Sequence, residues 1–492
     1  MTTLPSEIYS VATVREIDRT AIEELDISGY SLMTRAGAAS VAAARERFPD
    51  ARRWQLICGA GNNAGDGYVV ARLAALDGIA VSVVALVDPA ILGGDAATAY
   101  GDFAAKGGVA MPWAGELDSE AELLIDAMLG SGLMRDVEGD FAAGVLAINE
   151  HPAPVMALDI PTGLHGDSGA VLGCAVQANL TVTFVGLKAG LFLDQGPDCC
   201  GELVFAGLDI PVAASVASKV EFRRIDDKMI KQYFPRRRRT AHKGDFGHVL
   251  MVGGAAGMPG AIRLCGEAAL RSGAGRVSIA TDAGHAAIIV ANRPELMCHG
   301  VNGAADLKRL IDSADVIAAG PGLGQSPWAA ELMAVVADCE LPSVWDADAL
   351  NWLAESPGTS KNRVITPHPG EAAVLLGSTT AEVQADRPSA LTSLRDRYGG
   401  VVVLKGAGSL VSSASGAPWL SASGNPGMAA PGMGDVLAGI IAALLAQGLA
   451  VEQAAASGVE IHARAGDKAA EAGERGLLAS DLLSELRGII NP

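Results

Sequence analysis

Short apolar runs and helically spaced stretches alternate from the first residues to about position 215. Apolar residues at helical spacing predict helices over 14–25 and 31–47, and another through 69–76. Between them, compact apolar runs predict strands at 54–58, 80–87, 123–127, 155–160 and 180–185. Strands separated by helices form parallel sheets, because each crossover must return to the same end of the next strand. The first half therefore reads as a three-layer α/β/α domain with helices on both faces of a mostly parallel sheet.

Between about 214 and 245 this pattern lapses. Four consecutive arginines, Arg236 to Arg239, follow Pro235, and a solvated linker is the expected reading of such a charge run. A fresh series then begins, with strands predicted at 248–253, 276–280, 316–319, 343–346, 364–366 and 401–405. The two halves share no motif. The expected organisation is a first domain over 1–215, a linker over 216–240 and a second α/β domain over 241–492; a chain of 492 residues is also too long for one ordinary core.

Half of the residues are apolar and 19% are charged, which excludes a disordered or fibrous chain. A formal net charge of −19 argues against nucleic acid or an anionic membrane as partner. The longest apolar stretch, 436–451, is interrupted by Gly439, Gln447 and Gly448 and is too short to span a bilayer. No secretory signal opens the sequence, and seven cysteines lie without metal-ligand spacing. Reduced thiols and a cytoplasmic location are expected, as is a homo-oligomer of four or more chains.

The most particular segment of the first half is Cys58-Gly-Ala-Gly-Asn-Asn-Ala-Gly-Asp-Gly67, between a strand and a helix. Glycines there permit tight turns, and the N–H groups opening a helix favour an anion. Three further segments sit at strand ends, where open α/β sheets bind ligands: Asp126 in Leu-Ile-Asp-Ala-Met, Gly130-Ser-Gly-Leu-Met-Arg-Asp136, and Asp159-Ile-Pro-Thr-Gly163. Asn and Asp also cap helices and start turns, so each has a structural alternative. Together the four motifs resemble the NAD(P)H-hydrate epimerase family, the YjeF-N module, over nearly all of 1–215. The resemblance implies a Rossmann-like domain in which Asn62, Asn63, Ala64, Gly65 and Asp66, then Gly130, Ser131, Gly132, Leu133, Met134, Arg135 and Asp136, and also Asp159, contact the hydrated dinucleotide. It implies a potassium ion on Asn63, Asp126 and Thr162, whose oxygens suit a hard cation. Ala64 departs from the glycine that the family more usually carries. Inversion at C6 of the hydrated nicotinamide needs help in breaking and re-forming the C–O bond, and Asp159 is the candidate acid/base.

In the second half, Gly424-Asn-Pro-Gly-Met-Ala-Ala-Pro-Gly-Met-Gly-Asp435 feeds an all-apolar helix. Such a loop offers N–H groups to phosphate, but Asp435 at its mouth would repel phosphate by charge. A carboxylate there fits better as the base for a hydroxyl that attacks the phosphate; capping the following helix is the structural alternative. Gly-x-Gly-Asp resembles the ribokinase-like superfamily. The ordered series Lys243-Gly-Asp-Phe-Gly, Gly320-Pro-Gly-Leu-Gly324, Asp346-Ala-Asp-Ala-Leu350, Thr366-Pro-His-Pro-Gly-Glu371 and Lys405-Gly-Ala-Gly-Ser409 is similar to the ADP/ATP-dependent NAD(P)H-hydrate dehydratases. That resemblance implies Ala261, Gly324, His368 and Asp435 against the hydrated dinucleotide. It places Lys405, Gly406, Ala407, Gly408, Ser409 and Gly434 against ADP, with Mg2+ as its companion ion and Glu371 as a candidate to position it.

A nucleotide is needed because hydroxide leaves poorly, water having a pKa of about 15.7; phosphorylation of the C6 hydroxyl creates a good leaving group. The resemblances imply epimerisation of NADHX and NADPHX followed by ADP-dependent dehydration of the S form, giving AMP and phosphate. Two other readings stay open on sequence: a ribokinase-type small-molecule kinase fused to a dinucleotide sensor, and a first half that acts as a binding scaffold.

Overall fold

The computed structural model describes residues 4–215, 218–291 and 293–491. The chain divides into two compact units between Phe222 and Arg223. Among the described residues no helix is long and apolar enough to cross a membrane.

The first unit is built on seven strands, β1 (Arg53–Cys58), β2 (Ala80–Ala85), β3 (Ala110–Pro112), β4 (Leu123–Ala127), β5 (Val155–Leu158), β6 (Leu180–Phe184) and β7 (Glu202–Ala206). All neighbours are parallel, in the order β3-β2-β1-β4-β5-β6-β7. Helices α1 (Val11–Glu23), α2 (Gly29–Arg47), α3 (Asn62–Leu76), α4 (Gly94–Ala105) and α5 (Gly139–Glu150) complete the main frame. Successive strand residues point to opposite faces, so Leu56, Cys58, Leu123 and Ile125 join one core with α2, α3 and α4, whereas Ile57 and Leu124 join another with α5. The strand order runs outward in both directions from β1 and β4. A crevice opens where the order reverses, and the Gly59–Gly61 turn and the Gly130 loop both feed it.

The helix expected at 69–76 begins at Asn62, so the Asn pair lies inside its first turn rather than ahead of it. Gly67 marks the closest packing of this helix on the sheet: a Cβ there would lie 2.6 Å from the Ala127 Cβ. Edge strands β3 and β7 escape a pattern reading. One is three residues ending in proline, and the other is half-buried along its whole length.

The second unit has a mixed sheet of β8 (His248–Val252), β9 (Arg276–Thr281), β10 (Met297–Gly300), β11 (Val316–Ala319), β12 (Ser343–Trp345), β13 (Arg363–Ile365), β14 (Val401–Leu404), β15 (Leu410–Val411) and β16 (Trp419–Leu420). The order is β10-β9-β8-β11-β12-β13-β14-β15-β16, parallel except for the last two pairings. Its order reverses between β8 and β11, beside the Gly320–Gly324 loop. The expected 216–240 linker is corrected in part. Arg223 and Arg224 run parallel to Trp419 and Leu420, and helix α6 (Asp227–Tyr233) buries Met229 and Ile230 in this unit's core. Arg236 to Arg239 are all exposed, as expected of a solvated run, and Arg237 also stacks on Phe246 at 3.6 Å and donates to the Gly273 carbonyl at 2.8 Å.

Four more helices shape the second site: α7 (Pro259–Arg271), α8 (Pro369–Leu376), α9 (Met433–Ala446) and α10 (Val451–Ala469). Apolar on all sides, α9 is buried from Val436 to Leu445. Its hydrophobic length fixes it in the core, so its N-terminus is held where the sheet order reverses.

Candidate active sites

In the first unit a cleft of about 730 Å³ opens at the reversal of strand order. Asn62, Asn63, Asp66, Asp159 and the loop from Gly130 to Arg135 line it, as the sequence leads one to expect. Three expected residues do not. Ala64 and Gly65 face the α3 packing side, where a Cβ on Gly65 would sit 2.6 Å from Met33 Cε; Asp136 packs by Gly173. The i, i+4 rule explains this: a helix starting at Asn62 turns residues 64 and 65 away from the face that carries 62, 63 and 66.

Asp159 adopts a left-handed backbone, φ +66°, a conformation that costs a non-glycine residue energy. Its Oδ2 accepts the Ser131 N–H at 3.1 Å, and its Oδ1 receives the Lys188 ammonium. Lys188 is 1% exposed and also donates to Thr183 Oγ1 at 3.0 Å and the Phe184 carbonyl at 2.9 Å. Burial opposes ionisation of Asp159, but the Lys188 charge and the hydrogen bonds from Lys188 and Ser131 outweigh it and hold the carboxyl below its ordinary range. Asp66 goes the other way. Burial first, then the like charges of Asp159 and Asp18, push it well above that range, and Lys188 offsets this only partly. Asp18 of α1 is raised to about 6, by burial and by Asp159 against the pull of Lys188. One cleft thus holds an aspartate whose carboxyl is lowered and another whose carboxyl is raised.

Lys188 and Asp18 were absent from the residues that the sequence motifs single out. A lone lysine in the apolar run from Phe184 to Leu193 is the one signal that could have flagged the former.

Beneath the cleft lies Asp126, fully buried on β4. Its oxygens accept from Thr162 N–H and Oγ1, both at 2.7 Å, and from Met128 N–H at 3.1 Å. Burial nevertheless raises it to about 6. Asn63 stands by, with both its amide oxygen and its amide nitrogen buried and unpartnered; a Cβ on Gly130 would come 3.5 Å from this side chain and 3.3 Å from Asp159 Oδ2. Asn63 does not cap α3, since Gly61 is the cap. An amide oxygen without a partner, a threonine hydroxyl and a carboxylate are donor types that suit a hard monovalent cation.

In the second unit Asp435 occupies the third position of α9, which begins at Met433 behind the left-handed Gly432, φ +89°. The capping alternative fails because Gly432 is the cap. Burial, then Asp346, push the Asp435 carboxyl up to about 7; Lys405 opposes, and Asp348 and Glu371 add to the rise. At the end of β12, Asp346 accepts from Thr366 Oγ1 at 2.7 Å and from Lys405 Nζ at 2.9 Å. Glu371 Oε2 lies 3.6 Å from the same ammonium. Burial weakens the Lys405 proton, but Asp346 and Glu371 more than compensate and hold it. Gly434 packs closely on this pair: a Cβ would sit 3.1 Å from both Asp346 Oδ2 and Lys405 Nζ.

The other expected residues converge through this cluster. Gly324 donates its N–H to Asp348 Oδ2 at 2.7 Å, and a Cβ on Gly322 would lie 3.2 Å from the Ala261 Cβ. His368 caps α8, its ring accepting from the N–H groups of Gly370 at 3.0 Å and Glu371 at 3.2 Å. The ring is 56% exposed; Nδ1 serves the cap and Nε2 lies 3.6 Å from Glu371 Oε1. In the loop Lys405 to Ser409, Ser409 Oγ accepts the Gly406 N–H at 3.3 Å and donates to the Gly406 carbonyl at 2.9 Å, which shapes the loop from within.

Supports that no sequence motif marks lie behind these groups. Buried Arg387 donates to the carbonyls of Leu404, at 3.2 Å, and Ala407. Glu460 of α10 accepts from Ser421 and Ser423, while Asp467 accepts from Gly424 and Asn425, so one helix face ties down the approach to Asp435. No local motif reports such a contact, because its partners lie some 40 residues apart.

Residues 29–190 match the family described as YjeF-related protein N-terminus, and residues 249–487 match the family described as NAD(P)H-hydrate dehydratase. The chain is 46% identical to the bifunctional NAD(P)H-hydrate repair enzyme of Coxiella burnetii, over 99% of both chains. It is 42% identical to the enzyme of that description from Escherichia coli, over 99% of this chain and 95% of that one. Among solved structures, a ribokinase-like superfamily protein from Enterococcus faecalis is 28% identical, with a TM-score of 0.51, and covers 55% of this chain and 98% of its own.

Proposed function

This chain belongs to the family of bifunctional NAD(P)H-hydrate repair enzymes, and from that premise we propose that its first cleft epimerises hydrated NADH and NADPH at C6 while its second site dehydrates the S form at the expense of ADP. One observation carries the reading. Each unit has, where its strand order reverses, a lysine paired with one aspartate beside another whose carboxyl is raised.

Epimerisation breaks the C6–O bond with help from the ring nitrogen and re-forms it from the other face. The departing hydroxyl needs a proton, and the returning water must lose one. Asp66, whose carboxyl is raised, is suited to the first task and Asp159, whose carboxyl is lowered, to the second; environments that push paired carboxyls apart assign acid and base in this way. Asn63, Asp126 and Thr162 would hold potassium, which would supply positive charge to the buried Asp126 carboxylate.

In the second unit the C6 hydroxyl would attack the β-phosphoryl group of ADP. Asp435 accepts the hydroxyl proton, the O–P bond forms and AMP departs. The C6–O bond of the phosphate ester then breaks, releasing phosphate and restoring the ring double bond. Main-chain N–H groups of Met433 and Gly434, at the start of α9, suit the transferring phosphoryl oxygens. Lys405 to Ser409 would carry the nucleotide, and Ala261, Gly324 and His368 the hydrated ring. Magnesium would arrive with the nucleotide phosphates and neutralise their charge, with Glu371 as an oxygen donor suited to it. A cytoplasmic setting agrees with seven cysteines free of disulfides.

The test supplies the whole chain with separated R and S epimers, with and without ADP and magnesium, and follows products by chromatography. Epimers should interconvert in every arm. NADH, AMP and phosphate should appear only with ADP and magnesium, whereas a stable phosphoester product would favour a kinase.

A further inference from the structure

Helix α1 precedes every motif of the first unit, yet it forms one wall of the cleft. Val14, Arg15, Asp18 and Ile22 all line the opening, at spacings that place them on one helix face. Of these, Arg15 is singular. Its guanidinium lies against the Gly132 loop, where a Cβ on Gly132 would be 2.4 Å from Arg15 Nη2. Arg135, three residues further along that loop, also lines the cleft.

The chain carries 56 acidic against 37 basic residues, so arginines readily find acids. In the same unit Arg19, Arg45, Arg47 and Arg53 all hold carboxylates at 2.5 to 3.0 Å. Arg15 and Arg135 make no ion pair or side-chain hydrogen bond among the described residues. Two uncommitted cations therefore flank one glycine loop in an acidic protein. Asp18, Asp66 and Asp159 instead gather around Lys188 and feel one another's charge. The loop from Gly130 to Arg135 thus meets Asp159 at its start, through the Ser131 N–H, and Arg15 at Gly132.

We propose that Arg15 is a phosphate ligand of the epimerase, binding the pyrophosphate of the hydrated dinucleotide together with the Gly130–Arg135 loop. The assignment rests on the reading of this cleft as the epimerase site. A planar guanidinium suits two phosphate oxygens at once, and its position on α1 orients the dinucleotide so that the nicotinamide end meets Asp66 and Asp159.

Arg15→Met keeps the side-chain bulk against Gly132 and removes the charge. It should raise the epimerase KM about tenfold or more, as expected for loss of a charge-assisted hydrogen bond, with kcat little changed. Arg15→Lys should recover part of the affinity. Raising salt should weaken wild-type binding more than that of Arg15→Met. Inorganic pyrophosphate should inhibit the wild-type epimerase competitively, and the Met variant several-fold less. Dehydration by the same polypeptide should keep its KM for the S epimer.

Asp159→Asn separates two kinds of failure. If it leaves epimerisation intact, the cleft reading itself is wrong. If it abolishes epimerisation while Arg15→Met keeps a wild-type KM, or loses kcat alone, the phosphate role is overturned and the cleft reading stands. Should Arg15→Met prove insoluble, an absence of competitive inhibition by pyrophosphate in the wild-type enzyme overturns the phosphate role equally.

Discussion

Lys188 and Lys405 do the same electrostatic work in different surroundings. Lys188 is almost fully buried and has three fixed acceptors, one a carboxylate, one a hydroxyl and one a carbonyl. Lys405 is 19% exposed and faces two carboxylates at 2.9 and 3.6 Å, with Gly434 and the first turn of α9 beside it. The first lysine is a clamp that fixes Asp159 as an anion within a closed acid/base group. The second stands at an open helix N-terminus, where backbone N–H groups can meet phosphate. In both places a lysine holds one aspartate while a second, Asp66 in the first unit and Asp435 in the second, is raised by burial and by like charge against the pull of that lysine. The difference teaches that the neighbour, not the lysine, sets what each site is suited to: a second carboxylate suits proton exchange, and a helix N-terminus suits phosphate.

The sharpest way to break this comparison is to disable the raised aspartate of one site only. Asp435→Asn keeps size and hydrogen bonding but cannot accept a proton, so the dehydratase kcat should fall by about 10²–10⁴-fold with epimerisation untouched. ADP affinity should survive, since a negative charge near its phosphates is removed. Near-normal turnover in a folded Asp435→Asn protein would falsify the base assignment.

Removing a clamp should act on stability as well as on rate. Lys188→Met leaves Asp159 buried and unpaired, which typically costs about 3–5 kcal/mol. Calorimetry should show the loss in the transition of the first unit alone, with ADP-dependent dehydration of the S epimer retained at low temperature. Unchanged melting would mean that Lys188 contributes no net clamp.

A smaller effect comes from pH. Asp435 must be ionised to act as a base, and its carboxyl is raised to about 7. Dehydratase kcat/KM should therefore fall as pH drops below about 7, approaching tenfold per unit, and level off above it. Epimerase, whose Asp159 is held ionised, should keep its base form through that range. Parallel acid limbs for the two reactions would contradict the contrast.

Much of this architecture is readable without coordinates. Val, Ile and Leu runs such as Leu123 to Ile125 announce buried strands, and the order of glycine motifs places the loops at strand ends. Asn62, Asn63, Asp66, Asp159 and Asp435 could be named because each lies in a glycine-containing motif that resembles one of the two families. Residues 64, 65 and 136 entered through the family resemblance, and none of the three lines the cleft. Arg15, Asp18 and Lys188 stayed hidden because an amphipathic helix and an apolar run announce only that one face will be buried, not against what. Arg387 and Glu460 were hidden likewise, since their hydrogen bonds close over 17 to 39 residues.

Local chemistry therefore determined the elements, their alternation and the loops that carry glycine, since backbone freedom and side-chain periodicity act within a few residues. Tertiary structure alone decided which way each carboxyl is shifted. Asp66, Asp159 and Asp435 are one residue type with one intrinsic pKa, and they diverge because burial and the charges around each come from distant parts of the chain.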